Sequence, residues 1–512
     1  MTVATLVALF YAEERWRGAR AWERYRAEMS ARGVRLDWEA YLPPRVADYQ
    51  NLAMTPCLAP LLDFLPGTQI ARDTNRFQET ARRGQGSSDL ARKLGFNLGS
   101  ARHGDWQKAE RTDFIALLGS NRHTAAAPDE PAPAVARPAP PSTQREAAAI
   151  LLDIQRQTVE PVFDELRAAS QRPHCRFNIR YEYAPIAGIL LPHLAMVRGL
   201  ITNLVWRISA ELELGRTEEA FSDVRLAMTL ADGVREEPFL MSHLFRLASR
   251  QKVTQAVWEG LSRHQWTDQH LRWLEQRLAH DDFARDLLRS LEAERACGVR
   301  TAEHLRAGLV TPSQLASLEV TANLGEAART LLGYCLPSGW FYFEQVNYCQ
   351  TCDQYLVAVD RWQSGKMDTR GLLGALAALD QRAKPQTLTQ ALREHRFLEA
   401  MVLPPGLKLY GMTLEAAVPN DLARVACALE RHFLAHGEYP EHLDALAQRH
   451  PARAPKDILS GQSFVYRRES PVAFVLYSVG HNLADDGGTV VLGIRGEVDR
   501  MRGDWVWRQP RP

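Results

Sequence analysis

The sequence predicts a mainly α-helical protein: an antiparallel helix-hairpin body, with solenoid-like stacking left open, followed by a small carboxy-terminal α+β module in which a helix lies on an antiparallel sheet. Three observations predict it. Apolar residues recur at spacings of three and four between about Gln144 and Ala400. A stretch rich in Ala and Pro sets that body apart from what precedes it. From Phe464 onward the spacing changes to the alternation of strands, with Gly-containing turns between the runs.

Composition bounds the function before any motif does. The chain has 512 residues, 46% hydrophobic and 24% charged, ordinary for a globular protein with a sizeable core and more than one domain. Its 62 Lys and Arg against 61 Asp and Glu leave a net charge of +1, without the basic surplus by which a protein binds nucleic acid. No nucleic-acid partner is expected. Cysteines at positions 57, 175, 297, 335, 349, 352 and 427 are too scattered for a disulfide framework. Cys349 and Cys352 form one Cys-x-x-Cys within a helix predicted over Phe341 to Val359, with no second pair for zinc and no preceding strand for a redox site. They read as two small residues on one helical face, Cys335 being near enough to leave a metal or redox reading open.

The amino end, Val3 to Ala12, is uncharged and runs directly into Glu13-Glu14-Arg15-Trp16-Arg17. This run is shorter than the roughly 20 residues that cross a bilayer, and neither a charged leader nor a cleavage site marks a signal peptide. Its Tyr, Trp and Arg border allows two readings. Either residues 3–12 are a truncated membrane anchor, its start assigned too late, and the protein belongs to the cell envelope, or they begin an amphipathic helix packed on the body of a cytoplasmic protein. A charged helical pattern then closes at Gly33, and Pro43-Pro44 marks extended chain. Gly84-Gln85-Gly86-Ser87-Ser88-Asp89 lacks the third glycine and preceding strand of a phosphate loop and reads as flexible loop.

Residues 1–122 thus form an amino-terminal region, and 123–143 an Ala/Pro-rich linker expected to be extended and open to proteases. The helical body occupies 144–403. In it Leu194, Val197, Ile201, Leu204, Val205, Ile208 and Leu212 share one helical face. Leu214-Gly215-Arg216-Thr217-Glu218-Glu219-Ala220, followed by Val224, Ala227 and Leu230, resembles the turn and second helix of a tetratricopeptide repeat. No second copy follows at that family's spacing, so a hairpin is expected and a repeat array is not. Further hairpins are expected at Pro238 to His264, Thr267 to His280 and Phe283 to Leu305, with Thr267 as a cap. The pairs Glu218-Glu219 and Glu236-Glu237 read as helix-start charges.

The carboxy-terminal module is expected over 404–512. Pro404-Pro405-Gly406 ends the body, a helix runs from Leu414 to His436, and Gly437 caps it. Phe433, Tyr439, Phe464, Tyr466, Phe474 and Tyr477 are expected to meet in one core. The residues His436-Gly437-Glu438-Tyr439-Pro440, Pro455-Lys456-Asp457, Phe464-Val465-Tyr466, Leu476-Tyr477-Ser478-Val479-Gly480 and Asp485-Asp486-Gly487-Gly488 resemble the globular part of type II secretion pseudopilins. That resemblance implies a long helix on a small antiparallel sheet and an acidic loop able to bind calcium. The module's late position in the chain argues against assembly as a pilus subunit. The whole chain, including Trp22-Glu23-Arg24-Tyr25 and Met54-Thr55-Pro56, is also similar to large bacterial proteins with no assigned activity.

Few residues stand out for chemistry. Asn482, Asp485 and Asp486 offer hard oxygens to calcium, with Asp457 and Asp504 as further ligands, yet Asp-Asp-Gly-Gly is also what a tight hairpin turn requires. No cofactor is expected beyond that calcium. His432 and His436 are four apart but lack the glutamate of a zinc protease helix, so both read as structural. No phosphate loop, nucleophile elbow or kinase signature is present, and no catalytic residue is assigned. The sequence therefore favours a non-enzymatic interaction or scaffold protein that binds a protein or peptide partner through its helical body. The alternative is a metal- or carboxylate-dependent hydrolase with its site between body and module.

Overall fold

The computed structural model describes residues 3–84, 86–94, 96, 98, 104–119, 141–183, 186–309, 336–383, 387–396, 399, 403, 405–447 and 455–510. Most of the 123–143 segment and Cys335 lie outside the described residues. The fold is mainly α-helical with a small antiparallel sheet at the carboxy end, as the periodicities predict.

Helix α1 (Val3–Ala31) is followed by irregular chain, then α2 (Thr74–Arg83), α3 (Gly86–Lys93) and α4 (Phe114–Leu117). The segment read as a flexible Gly-Ser loop is therefore helical over Gly86–Lys93. Ser87 there shares a hydroxyl hydrogen bond of 3.1 Å with Thr158, and Ala91 is buried, so a packing surface offsets the glycines. Next come α5 (Gln144–Thr158), α6 (Glu160–Ala169), α7 (Pro192–Leu214) and α8 (Thr217–Asp232). The seven apolar residues expected on one face of α7 are all buried. Gly215 ends α7 at φ 78°, the left-handed cap that lets α8 fold back with Ala220, Val224, Ala227 and Leu230 inward.

Helices α9 (Leu240–Leu261), α10 (Asp268–Ala279) and α11 (Phe283–Arg306) continue the body. Thr267 caps α10 as expected, its hydroxyl accepting the His270 N–H while the His270 ring accepts the Thr267 N–H. Then α12 (Trp340–Gln363), α13 (Thr369–Ala383) and α14 (Leu388–Arg393) follow. Cys349 and Cys352 are both buried on α12, the first beside Trp22 and Tyr25, the second beside Phe341 and Tyr348.

Where α11 meets α12 the fit is tightest. A Cβ on Gly298 would stand 2.1 Å from the Tyr348 ring, and that ring is fully buried with its hydroxyl donating to Glu294 at 3.0 Å. In an exposed helix Gly→Ala is stabilising by about 0.5–1 kcal/mol. Here overpacking costs about 1–3 kcal/mol, so Gly298→Ala should lower the melting temperature in calorimetry. A raised melting temperature would show that Tyr348 yields freely.

The long helix expected from Leu414 begins earlier, as α15 (Gly406–His436), and continues through Pro419. Gly406, read with the two prolines before it as the end of the body, instead starts this helix. The carboxylate of Asp380 accepts the Gly406 and Leu407 N–H groups at 2.7 and 3.1 Å, a cap supplied from a distant part of the chain. Along its length α15 packs on α9, α10 and α11.

After the short α16 (Asp444–Ala447) come β1 (Val465–Ser470), β2 (Ala473–Ser478), β3 (Val490–Leu492), β4 (Val498–Gly503) and β5 (Trp505–Arg508). They form an antiparallel sheet in the order β1-β2-β5 and a separate β3-β4 ladder. Rings converge on one face: Phe433 stacks on Tyr439 at 4.9 Å, Tyr439 meets Phe474 at 4.8 Å, and Tyr466 lies 5.9 Å from Phe474, with Phe464 buried in the same core. Tyr477 does not join them. It is an odd number of residues from Phe474, so strand alternation turns it to the opposite face with Val475 and Val506. One apolar core runs from Trp38 to Trp507, joining the amino-terminal region, the body and the sheet.

Candidate binding site

Two stretches of irregular chain, one after α1 and one between α6 and α7, meet side by side and satisfy each other's backbone groups, as buried chain outside helices must. Leu52 N–H donates to the His174 carbonyl at 2.8 Å, and His174 N–H to that of Gln50 at 3.2 Å. The buried Asn51 side chain extends the ladder: its Nδ2 donates to the Arg176 carbonyl at 2.7 Å, and its Oδ1 accepts the Arg176 N–H at 2.8 Å. The Arg172 guanidinium donates to the Asn51 carbonyl at 2.9 Å, and Arg176 Nε to that of Pro43 at 3.2 Å.

This junction walls two cavities that share Pro43 and Pro44. The first, about 500 Å³, lies between the junction and the α8–α9 turn, with Leu52, Phe177 and Tyr181 as apolar wall and Arg172 and Arg176 at its edge. The second, about 690 Å³, runs along α11 and α12, with Leu288, Leu356 and Val357 among its lining and Arg35, Glu292 and Asp360 around them. Both sizes suit small ligands or a short peptide stretch. Arg289 lines the second cavity and binds Glu236 of the first at 2.6 Å, so that ion pair and the two prolines form the divide.

The charges of the first cavity do not cancel. Its acids are engaged: Asp232 with Arg246 and Arg277, Glu236 with Arg289, and Glu237 with His193 and the Ser242 hydroxyl. Arg235 is paired with Asp286. Arg172 and Arg176 donate to backbone carbonyls, and among the described residues neither forms an ion pair. Beside them the Tyr181 hydroxyl is buried without a hydrogen-bond partner, and Arg176 lies over the Tyr181 ring at 5.8 Å.

Glu237, which lines the cavity, ties it to a buried cluster. Glu237 stands between His193, 2.9 Å away, and Ser242, so the hydroxyl donates to the carboxylate and does not reach the imidazole as a nucleophile reaches its base. Burial pushes the Cys175 thiol up to about 12, which keeps it protonated and unreactive. Glu237, read from sequence as a helix-start charge, precedes α9 and serves this buried cluster instead.

The residues singled out in sequence gather elsewhere, in the β2–β3 loop. Asp485 accepts the Tyr477 hydroxyl and the Gly487 N–H, both at 2.9 Å, while Asn482 Nδ2 donates to Asp486 at 2.7 Å. The buried Asp504 accepts the N–H groups of Asp486, Gly488 and Thr489. Gly487 and Gly488 take φ 69° and 78°, but the loop joins two separate sheets, β2 pairing with β1 and β5 and β3 with β4, so the tight hairpin expected from Asp-Asp-Gly-Gly does not form between them. Asp457 is apart from this loop's acids and holds the Ser460 and Ser478 hydroxyls. Among the described residues no group of three or more His, Cys, Asp or Glu is placed to hold a metal ion. His432 and His436 stack at 4.1 Å, each ring bonded to a backbone carbonyl.

At the seam between body and sheet, where a hydrolytic site would lie on the alternative reading, His264 Nδ1 is 2.8 Å from Glu430, whose other oxygen accepts the Tyr439 hydroxyl at 2.6 Å. The two cavities at the junction take no lining residue from 404–512. No protein-family model, curated protein or solved structure matches the chain. The junction residues Asn51, Arg172, Arg176 and Tyr181 were not singled out in sequence. The segment Arg172-Pro173-His174-Cys175-Arg176 breaks helical periodicity while carrying three basic side chains, and that was the available signal.

Proposed function

We propose that this protein is a non-enzymatic binding protein held at a membrane surface, with the paired cavities of its helical body taking a protein or peptide partner. The observation that carries the reading is the exposed apolar start of α1. Helix α1 runs parallel to α12: Glu14 accepts the Trp340 indole N–H at 3.0 Å, Gly18 abuts Gly339, and Tyr25 donates to Asp353 at 2.6 Å. Residues before Glu14 extend past the start of α12. There Val3, Leu6, Val7, Leu9 and Phe10 are all exposed, Val3 by 77% and Phe10 by 46%, and Val3, Leu6, Val7 and Phe10 share one face at spacings of three and four.

A helix that leaves one apolar face uncovered can lay that face into a lipid interface. Tyr11 and Trp16, with Arg15 and Arg20, follow the apolar turns where aromatic rings and cations meet headgroups. No helix among the described residues is long and apolar enough to cross a membrane, so the reading is insertion into the interface. Support for the partner-binding half comes from the two cavities, whose sizes suit a short peptide stretch.

The chain should co-sediment with vesicles of equal parts phosphatidylcholine and phosphatidylglycerol. Leu6→Asp combined with Phe10→Asp should weaken that partition by at least about tenfold, since burying each side chain is worth about 1.5–3 kcal/mol. Self-association in gel filtration without vesicle binding would assign the patch to a second copy and overturn the membrane reading.

A further inference from the structure

We infer that the cavity edged by Arg172 and Arg176 recognises a carboxylate carried on an apolar group, either the free carboxy-terminus of a peptide or a small organic acid. This rests on the reading of that cavity as a binding site and names the chemistry it selects.

Three observations converge on it. First, the charge of the cavity is unbalanced at one edge. Every carboxylate that lines it is engaged by an arginine, or by His193 and Ser242, whereas Arg172 and Arg176 have only backbone carbonyls as partners among the described residues. A guanidinium that spends one N–H on a carbonyl keeps others free, and its fork matches the two oxygens of a carboxylate.

Second, both arginines are held. Arg176 is fixed by its backbone pairing to Asn51, by the Pro43 carbonyl and by the Tyr181 ring. Arg172 is fixed by the Asn51 carbonyl. Groups ordered before the ligand arrives lose less conformational freedom on binding.

Third, the ring under Arg176 carries an unpartnered donor. The Tyr181 hydroxyl is buried with no hydrogen-bond partner, which is costly unless something completes it. Tyr181 also lines the cavity, together with Pro43, Pro44, Val46, Leu52 and Phe177. These apolar surfaces would bury the body of the ligand while its charged end meets the arginines. A bare inorganic anion would leave them uncovered, and that separates a carboxylate on an apolar group from phosphate or sulfate.

The test compares acids with their amides on the full chain by isothermal titration. The probes are acetyl-Ala-Ala-Phe with a free carboxy-terminus, the same peptide amidated, phenylpropionate, and phenylpropionamide. Each acid that binds should do so at least about tenfold more tightly than its amide, because a charge-assisted hydrogen bond is worth about 1.5–3 kcal/mol. Binding by the peptide acid alone would identify a peptide terminus as the source, and binding by phenylpropionate with equal or greater strength would identify a free acid.

Arg172→Gln and Arg176→Gln should each reduce acid binding about tenfold while leaving the weak amide binding unchanged. Tyr181→Phe, which keeps the ring under Arg176, should reduce it less. Thermal unfolding of each variant separates loss of binding from loss of fold. Equal binding of acid and amide would overturn the carboxylate assignment and leave the cavity as an apolar binding site. Failure of all four probes to bind would overturn both.

Discussion

Asp281→Asn is expected to lower the free energy of unfolding by about 3–5 kcal/mol, the range for breaking a buried ion pair by removing one partner. The side chain of Asp281, just past the end of α10, is fully buried. One oxygen accepts from Arg246 at 2.6 Å and from Arg277 at 3.4 Å, and the other accepts from Arg250 at 2.5 Å. Arg246 is itself 1% exposed, and it also holds Asp232 at 2.7 Å and Asp286 at 2.8 Å. Removing the Asp281 charge leaves Arg250, 3% exposed, with Asp232 no nearer than 4.0 Å and the Asn420 amide oxygen at 3.4 Å. The cost is that of an uncompensated buried cation, and not the modest value of a surface pair. Urea unfolding of the two proteins checks it, and a change below about 1 kcal/mol would mean that the cluster relaxes or admits water. Arg277→Gln, at the rim with 24% exposure, should cost less.

The same group predicts an acid dependence. Burial alone pushes the Asp281 carboxyl upward, but the guanidiniums of Arg250, Arg246 and Arg277 more than offset this, and its pKa lies below the ordinary value. Because the folded pKa is depressed, the contribution is fully present above the unfolded value of about 3.9 and disappears as pH falls through the folded one. Stability of the wild type should therefore drop on acidification below about pH 4 more steeply than that of Asp281→Asn.

Local signals were the legible ones. The α7 stripe, the Gly215 cap and the Thr267 cap each depend on residues within a few positions, and the structure contains all three. The start of α15 was not legible, since its cap is Asp380, 26 positions before Gly406. Tyr477 was placed in the wrong layer although strand parity could have moved it. The junction was illegible for the reason that governs α15. Asn51 and Arg176 are 125 positions apart, and no periodicity links an asparagine in irregular chain to the backbone it completes. The positive φ of Gly487 and Gly488 was legible in the glycine pair itself, but not that their loop joins two sheets, since strand pairing is set by distant residues.

Trp507→Ala should cost about 3–5 kcal/mol and lower the melting temperature of the whole molecule in one transition. The residue is fully buried on β5, where its ring lies 5.3 Å from that of Trp106, a residue of the amino-terminal region. Helix α9 fastens the same place from the body: Trp258 Nε1 donates to the Arg508 carbonyl at 3.1 Å, the Gln509 amide donates to the Leu261 carbonyl at 3.2 Å, and Trp106 N–H donates to Gln255 at 2.7 Å. Three distant stretches of sequence thus close on one indole, and its removal leaves a cavity that none of them can fill alone. The Trp507 indole N–H has no partner in its buried site, so its loss removes one unfavourable group and pulls the cost toward the lower end of that range. Calorimetry distinguishes the two ways in which the sheet could relate to the body. If they unfold as one unit through the shared core, the single endotherm moves down intact. If the sheet were an independent module, Trp507→Ala would split the endotherm, melting the strands first while the helical circular-dichroism signal persisted to the wild-type temperature, and the shared core would not couple the two.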